Sequence, residues 1–374
     1  MMLRVDLKPS GPNGPVWPLR PHTAAKHQIL QQYLAGWFAV LGQTRSRILF
    51  LDGFAGPGIY AGGEPGSPVI ALQSLLDHDH FRQLSTCEFI FLFNERNHAR
   101  YKSLVKVEKA LREDRGGYPK NVKVELHNLP FSELVASVLA HLEDQKANLA
   151  PTFAFVDPCG YADLDMRQLA GLMNFNGGEL FVYFDFNSVQ RFSTSGVADR
   201  AFERLFGTDE FKSAPARGAA SRGQFLADLY ERQLRDVAHF KFVQRFRMTG
   251  HNGKTIYYLF YCIRNIKGMK IMKKAMWSVA PDGDYHFSDQ FAGQDVLFEP
   301  NPDMGPLRDA LVGKFAGRRV SIEQVEEFTL VNTPYHDGHL KRVTLAPMQR
   351  AGLISSPNQT RKNTFPSRTL IDFP

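Results

Sequence analysis

Apolar side chains recur at helical spacing over residues 23–41, at Ile29, Leu30, Tyr33, Leu34, Trp37, Phe38 and Leu41. This predicts an amphipathic helix with Thr23 as its N-cap. The pattern then changes to short, unbroken apolar runs. RILFLD, closed by Asp52 and followed by a glycine turn, reads as a buried strand, and CEFIFLFNE, NVKVELHN, PTFAFVDPCGY and GELFVYFDFN repeat the theme. Helical stretches lie between them. One opens with Ser67 as N-cap and Pro68 at the first helical position, a second covers about residues 97–114, and a third is FSELVASVLAHLEDQ. This alternation predicts an α/β fold with a mostly parallel sheet covered on both faces. A helical insertion is expected near residues 190–240. HFKFVQRFRMTG and TIYYLFYCIRN then read as two strands joined by a tight turn at Asn252-Gly253. An antiparallel edge hairpin on a parallel sheet is the layout of a Rossmann-like class I methyltransferase sheet, and not of a dinucleotide dehydrogenase.

Beyond it, residues 304–374 read as helix, helix, helix and hairpin, with Ser321 and Gln324 spaced as a capping box. That order predicts a small winged helix-turn-helix domain, with HLKRVTLAPMQRAGLISS as third helix and NQTRKNTFPSRTLIDF as wing. Pro347 inside the third helix is expected to kink it or end it early. The expected organisation is an N-terminal extension (1–22), a Rossmann-like domain (23–281), a loop-like linker (282–303) and the winged helix (304–374).

Charge sharpens this picture. The 374 residues hold 45 Lys+Arg against 38 Asp+Glu, a net charge of +7. Residues 237–281 contain nine Lys/Arg and no acid, residues 304–374 are net +4, and the remainder is net −6. Two basic regions on an acidic body point to an anionic polymer, DNA or RNA, as partner, with a solvated surface as the plainer alternative. Helix-spaced Lys267, Lys270 and Lys274, opposite a Met269, Met272, Met276 face suited to core packing, are candidate contacts. So are His339, Lys341 and Arg342 on the third helix, and Arg361, Lys362 and Arg368 on the wing. Docking of a protein is the other role open to such a module. The three cysteines lie far apart, so neither a disulfide framework nor a self-contained zinc site is expected, and no metal is assigned. No apolar run approaches the ~20 residues of a membrane span, and the N-terminus lacks a signal-peptide core. A cytoplasmic protein without membrane contact is expected.

Candidate chemistry gathers at the strand ends. Asp52, Phe54, Gly56 and Gly58 belong to a turn that lets backbone approach a ligand, and its spacing is not that of a pyrophosphate-binding G-x-G-x-x-G. A sulfonium donor, S-adenosylmethionine, suits it better than a phosphate, and a purely structural turn is the alternative. Glu95, ending the second strand, can accept from both ribose hydroxyls, and Asn128, after the third, can read the adenine edge. Asp157-Pro158-Cys159-Gly160-Tyr161 resembles the D-P-P-Y type motif of amino-group methyltransferases. There Asp157 would accept from an exocyclic amine, Pro158 would lock the backbone and Tyr161 would stack on a flipped base. Pro-Cys is also the nucleophile motif of cytosine-C5 methyltransferases, so Cys159 reads either as a thiolate or as a small buried apolar residue.

Together, LDGFAGPGIY, GSPVIAL, FVDPCGY and YYLFYCIRNIKGMKIMKKAMW resemble the three-Cys-motif partner protein family of bacteria, from about residue 17 to the C-terminus. The resemblance implies a class I S-adenosylmethionine-methyltransferase-like domain, a C-terminal winged helix and a companion protein carrying the three-cysteine motif. Family members usually carry D-P-F-G at Asp157–Gly160, and the aromatic at the Cys159 position argues against a cysteine nucleophile. Two functions remain open: a nucleic-acid methyltransferase, and a non-catalytic module that serves a partner or binds DNA through its winged helix.

Overall fold

The structure, a computed structural model, describes residues 16–280, 286–289 and 302–374. Residues 1–15 of the expected extension, and residues 281–285 and 290–301, which take most of the expected linker, lie outside the described residues.

The sheet has eight strands in the order β3-β2-β1-β4-β5-β7-β6-β8. These are β1 (Arg47–Asp52), β2 (Glu88–Asn94), β3 (Val122–His127), β4 (Thr152–Val156), β5 (Gly178–Phe184), β6 (Phe242–Thr249), β7 (Thr255–Ile263) and β8 (His286–Ser288). Strands β1 to β5 pair parallel, while β7 pairs antiparallel with both β5 and β6. This is the class I methyltransferase sheet that the strand pattern predicts.

Because side chains alternate along each strand, the sheet has two chemically distinct faces. Phe50, Phe91, Phe93 and Phe153 meet on one, where α1 (Pro21–Gly42) lays Tyr33, Trp37 and Phe38 against them. Leu49, Leu51, Leu92, Ala154, Val156, Leu180 and Val182 line the other. That aliphatic face is covered by α4 (Phe131–Asp144), α5 (Met166–Met173) and the insertion helices α6 (Phe186–Phe192), α7 (Asp199–Phe206) and α8 (Ala219–Asp236). The remaining helices of this unit are α2 (Ser67–Leu76) and α3 (His98–Asp114).

Two expected helix starts shift. Helix α1 begins two residues before Thr23, with Pro21 in its first turn, where a missing N–H costs nothing, and the Arg20 carbonyl accepts from Thr23 and Ala24. Ser67 does not cap α2; the cap position is Gly66, and the Ser67 hydroxyl donates to Asp52 instead.

A second compact unit begins at Asn265 and contains α9 (Ile266–Trp277), α10 (Gly305–Phe315), β9 (Arg318–Ser321), α11 (Ile322–Asn332), α12 (Asp337–Leu340), α13 (Ala346–Arg350) and β10 (Leu370–Phe373). Its core packs Trp277, Leu307, Leu311, Val325, Leu340, Leu345 and Ile371, and Ser321 and Gln324 form the expected capping box. Pro347 neither ends nor breaks the third helix. Residues Lys341–Leu345 widen into a π-turn joining α12 to α13, which accommodates a residue without an N–H. The wing is barely a hairpin. β10 ladders with β9, and the expected partner strand contributes only the Ser355–Asp372 bridge. Pro366 has no N–H to donate, and Asn363 and Arg368 take left-handed conformations that interrupt a strand.

Candidate functional site

Strands β1 and β4 are neighbours although three helices and two strands separate them in sequence, so the sheet's order reverses there. Open α/β sheets bind ligands at that switch point, beyond the carboxyl ends of the strands. A cavity of about 600 Å³ occupies this position, within the usual range for a small-molecule site. Phe54, Gly56, Gly58, Asn94, Glu95, Phe131, Asp157 and Cys159 are among its walls.

Asp52 builds the turn from beneath. Fully buried, it accepts from the Phe54 N–H at 3.1 Å and from Ser67 Oγ at 2.7 Å, so both carboxylate oxygens are engaged below the cavity floor. Burial raises its pKa to about 7 against these two bonds, with the charges of Asp157 and Glu95 adding to the rise. The turn then folds back on itself: Ile59 bridges Pro65, and Gly66 N–H donates to the Gly58 carbonyl at 2.9 Å. Gly58 sits at φ +79, and a Cβ on Gly66 would lie 2.9 Å from the Gly58 carbonyl carbon, so backbone passes backbone without room for a side chain. Phe54 packs on Phe131 at 5.0 Å and supplies an aromatic wall.

Glu95 lines the cavity at the end of β2, nearly buried, with Oε1 accepting the Asn97 N–H at 2.6 Å. Asn128 is not a wall. Its amide donates to the Glu95 and Arg96 carbonyls at 2.6 and 2.9 Å and so braces the loop that carries Glu95. Asn94, which the apolar pattern of β2 hides, ties the Gly53 and Leu129 carbonyls together at 3.1 and 3.0 Å.

Asp157 faces the cavity, and its Oδ2 forms an ion pair with Lys26 of α1. The ammonium also stands 5.6 and 5.7 Å from the ring centroids of Tyr183 and Tyr257, a cation bordered by two aromatic rings. Lys26 is buried beside His27, whose pKa falls to about 3 through burial and then the Lys26 charge. Sequence reasoning passed over both; the available signal was a Lys-His pair within the apolar stretch of α1. Pro158 is buried behind Asp157. Tyr161 turns away, packing on Phe202 at 5.0 Å and Phe192 at 6.4 Å. Cys159 is exposed and so is not the small buried residue expected; desolvation by its neighbours, then the Asp157 charge, raises its thiol pKa, the opposite of what an activated nucleophile needs.

The candidate basic contacts divide. In the second unit, Lys270 and Lys341 both pair with Glu326, at 2.9 and 2.7 Å, and Lys274 pairs with Asp337 at 3.4 Å. Lys267, Arg342, Arg361 and Lys362 are exposed, as is Arg368. Lys273, between the paired lysines, is fully buried and donates to the Thr329, Thr333 and Tyr335 carbonyls, which joins α9 to the end of α11.

No protein of curated function matches the chain by sequence. Among solved structures, the chain is similar to a DUF574 family protein of Streptomyces avermitilis at 11% identity and a TM-score of 0.33, over 65% of this chain and 84% of that one. It is also similar to a methyltransferase subunit of a type I restriction-modification system from Streptococcus thermophilus at 12% identity and a TM-score of 0.34, over 67% of this chain and 45% of that one. The strand order, and not these distant likenesses, defines the fold. At the other end of the chain, residues 285–361 match the family model described as a GMT-like wHTH domain.

Proposed function

We propose that the chain is an S-adenosylmethionine-dependent methyltransferase acting on an amino group of a nucleic acid. One observation carries the reading: a cavity at the switch point of a class I methyltransferase sheet has a glycine turn as floor, Glu95 on one wall and Asp157 on another. The residues fit the donor. Gly56 and Gly58, both at positive φ on the cavity wall, would let backbone approach it, Phe54 and Phe131 would offer apolar faces to an adenine, and the second oxygen of Glu95 would meet a ribose hydroxyl. When bound, the donor supplies the activated methyl group. The protein's part is positioning. Asp157 would accept from the acceptor amine and hold its lone pair toward the donor, and the Tyr183 and Tyr257 rings would border it. Arg342, Arg361 and Lys362 would meet phosphates.

Titration calorimetry with S-adenosylmethionine tests the first half. We expect binding by the wild-type chain and at least tenfold weaker binding by Glu95→Ala; no binding by the wild type sinks the reading. Tritiated methyl transfer onto DNA, tRNA and protein extracts tests the second. Asp157→Ala should abolish transfer and keep donor binding.

The Lys26–Asp157 ion pair favours a second reading, because a lysine already stands where an acceptor amine would bind. In that case the chain is a non-catalytic donor-binding module that docks a companion, a three-Cys-motif protein, or DNA through its winged helix. Donor binding without transfer to any extract, in wild type and in Lys26→Ala alike, would select it.

A further inference from the structure

A second cleft of about 570 Å³ opens where α1 begins and where the β6–β7 turn ends, beside the carboxyl end of β5. Its walls include Arg20, His22, Asn187, His251, Lys254 and Asp289. Arg20 and Lys254 are exposed cations from segments more than two hundred residues apart, brought together by the fold. Asp289 is 6% exposed. Its Oδ2 meets His22 Nδ1 at 3.0 Å, while Oδ1 is buried with no donor within reach among the described residues. A buried carboxylate oxygen without a donor is costly, and a donor on a bound molecule would offset that cost.

The cleft is wired to the acceptor carboxylate. The Tyr257 hydroxyl donates to the His22 carbonyl at 3.0 Å, the His22 and Tyr257 rings are 5.6 Å apart, and Tyr257 borders the Lys26 ammonium that Asp157 holds. The ligand chemistry follows from the walls. Two exposed cations call for an anion, and the open Asp289 oxygen calls for an N–H or O–H donor on the same molecule. A nucleotide unit carries both, as a phosphate and as a base or sugar donor.

We propose that this cleft holds a nucleotide of the acceptor strand, its phosphate against Arg20 and Lys254 and a donor against Asp289. This rests on the methyltransferase reading and places the substrate's backbone on the β6–β7 turn of the first unit. DNA and RNA share the chemistry, so both are probed.

The test uses the full chain and fluorescein-labelled single-stranded DNA and RNA oligonucleotides, with anisotropy read from 50 to 300 mM KCl. Arg20→Glu/Lys254→Glu should weaken binding at least tenfold. It should also flatten the slope of log K against log[salt] by about 0.7, the contribution of one phosphate neutralised on a single strand. Asp289→Ala provides the sharper readout. Removing a negative charge strengthens polyanion binding if only the field matters, whereas loss of a hydrogen-bond acceptor weakens it; we expect about tenfold weakening. Wild-type affinity and slope in the double variant, or tighter binding by Asp289→Ala, overturns the proposal. An unchanged urea midpoint confirms that each variant is folded. Calorimetry with S-adenosylmethionine on the same variants keeps the two questions apart: its failure in the wild type strikes the methyltransferase reading, and its success beside unaltered oligonucleotide binding in the double variant strikes the cleft alone.

Discussion

Asp52→Asn is expected to stabilise the protein above neutral pH, although it alters a residue at the heart of the site's scaffold. The carboxyl group is fully buried, and its pKa rises from 3.8 to about 7. Between those values the folded chain holds a proton that the unfolded chain has released. The stability this group contributes is therefore fully present below about pH 4 and is lost as pH rises through about 7. A rise of that size corresponds to about 4 kcal/mol. Asparagine keeps the geometry: Oδ1 still accepts from Phe54 N–H, and Nδ2 donates to Ser67 Oγ with that bond's polarity reversed. It does not titrate. The assay is urea unfolding at pH 4.5, 6 and 8, read by hydrogen–deuterium exchange of peptides spanning β1, so that only the first unit reports. Taking variant minus wild type at each pH cancels every other titrating group. The difference should move in the variant's favour by about 3–4 kcal/mol between pH 4.5 and 8. A pH-independent difference would refute the argument and show that Asp52 stays ionised in place.

Gly66→Ala forces a Cβ to within 2.9 Å of the Gly58 carbonyl carbon, a backbone atom that cannot swing away. It should cost about 2–4 kcal/mol in a thermal melt and abolish S-adenosylmethionine binding by calorimetry. Cys159→Ser should leave donor binding within about twofold of wild type, since the thiol pKa is raised and the side chain only borders the cavity. Lys273→Met addresses the second unit, where burial lowers the lysine pKa from 10.5 to about 7. Wild-type stability should rise with pH across that window, because there the unfolded chain holds the proton and the folded chain does not. The gap to the non-titrating methionine variant should change accordingly between pH 7 and 10 in urea unfolding of the α9–α11 peptides.

The strand pattern was legible because burial on both faces leaves a run of apolar residues that no partner needs to be named to read. RILFLD, CEFIFLFN and TFAFV specify strands, and the alternation with helices specifies parallel pairing. Capping chemistry was legible where donor and acceptor are three residues apart, as at Ser321 and Gln324. Side-chain assignment at long range was not. Asp52 and Glu95 both end strands, yet one is spent under the floor on Ser67 and the other lines the cavity. Lys270, Lys274 and Lys341 read as a basic surface until Glu326 and Asp337, distant in sequence, pair with them. Lys26 and Asp157 are separated by 131 positions, and only the packing of α1 on the sheet brings them together. Local sequence therefore determined the elements and their order, because hydrophobic periodicity and capping act within a few residues. Which acids and bases meet, and so where chemistry can occur, was decided by the tertiary fold, because a charge's partner is set by distance in space.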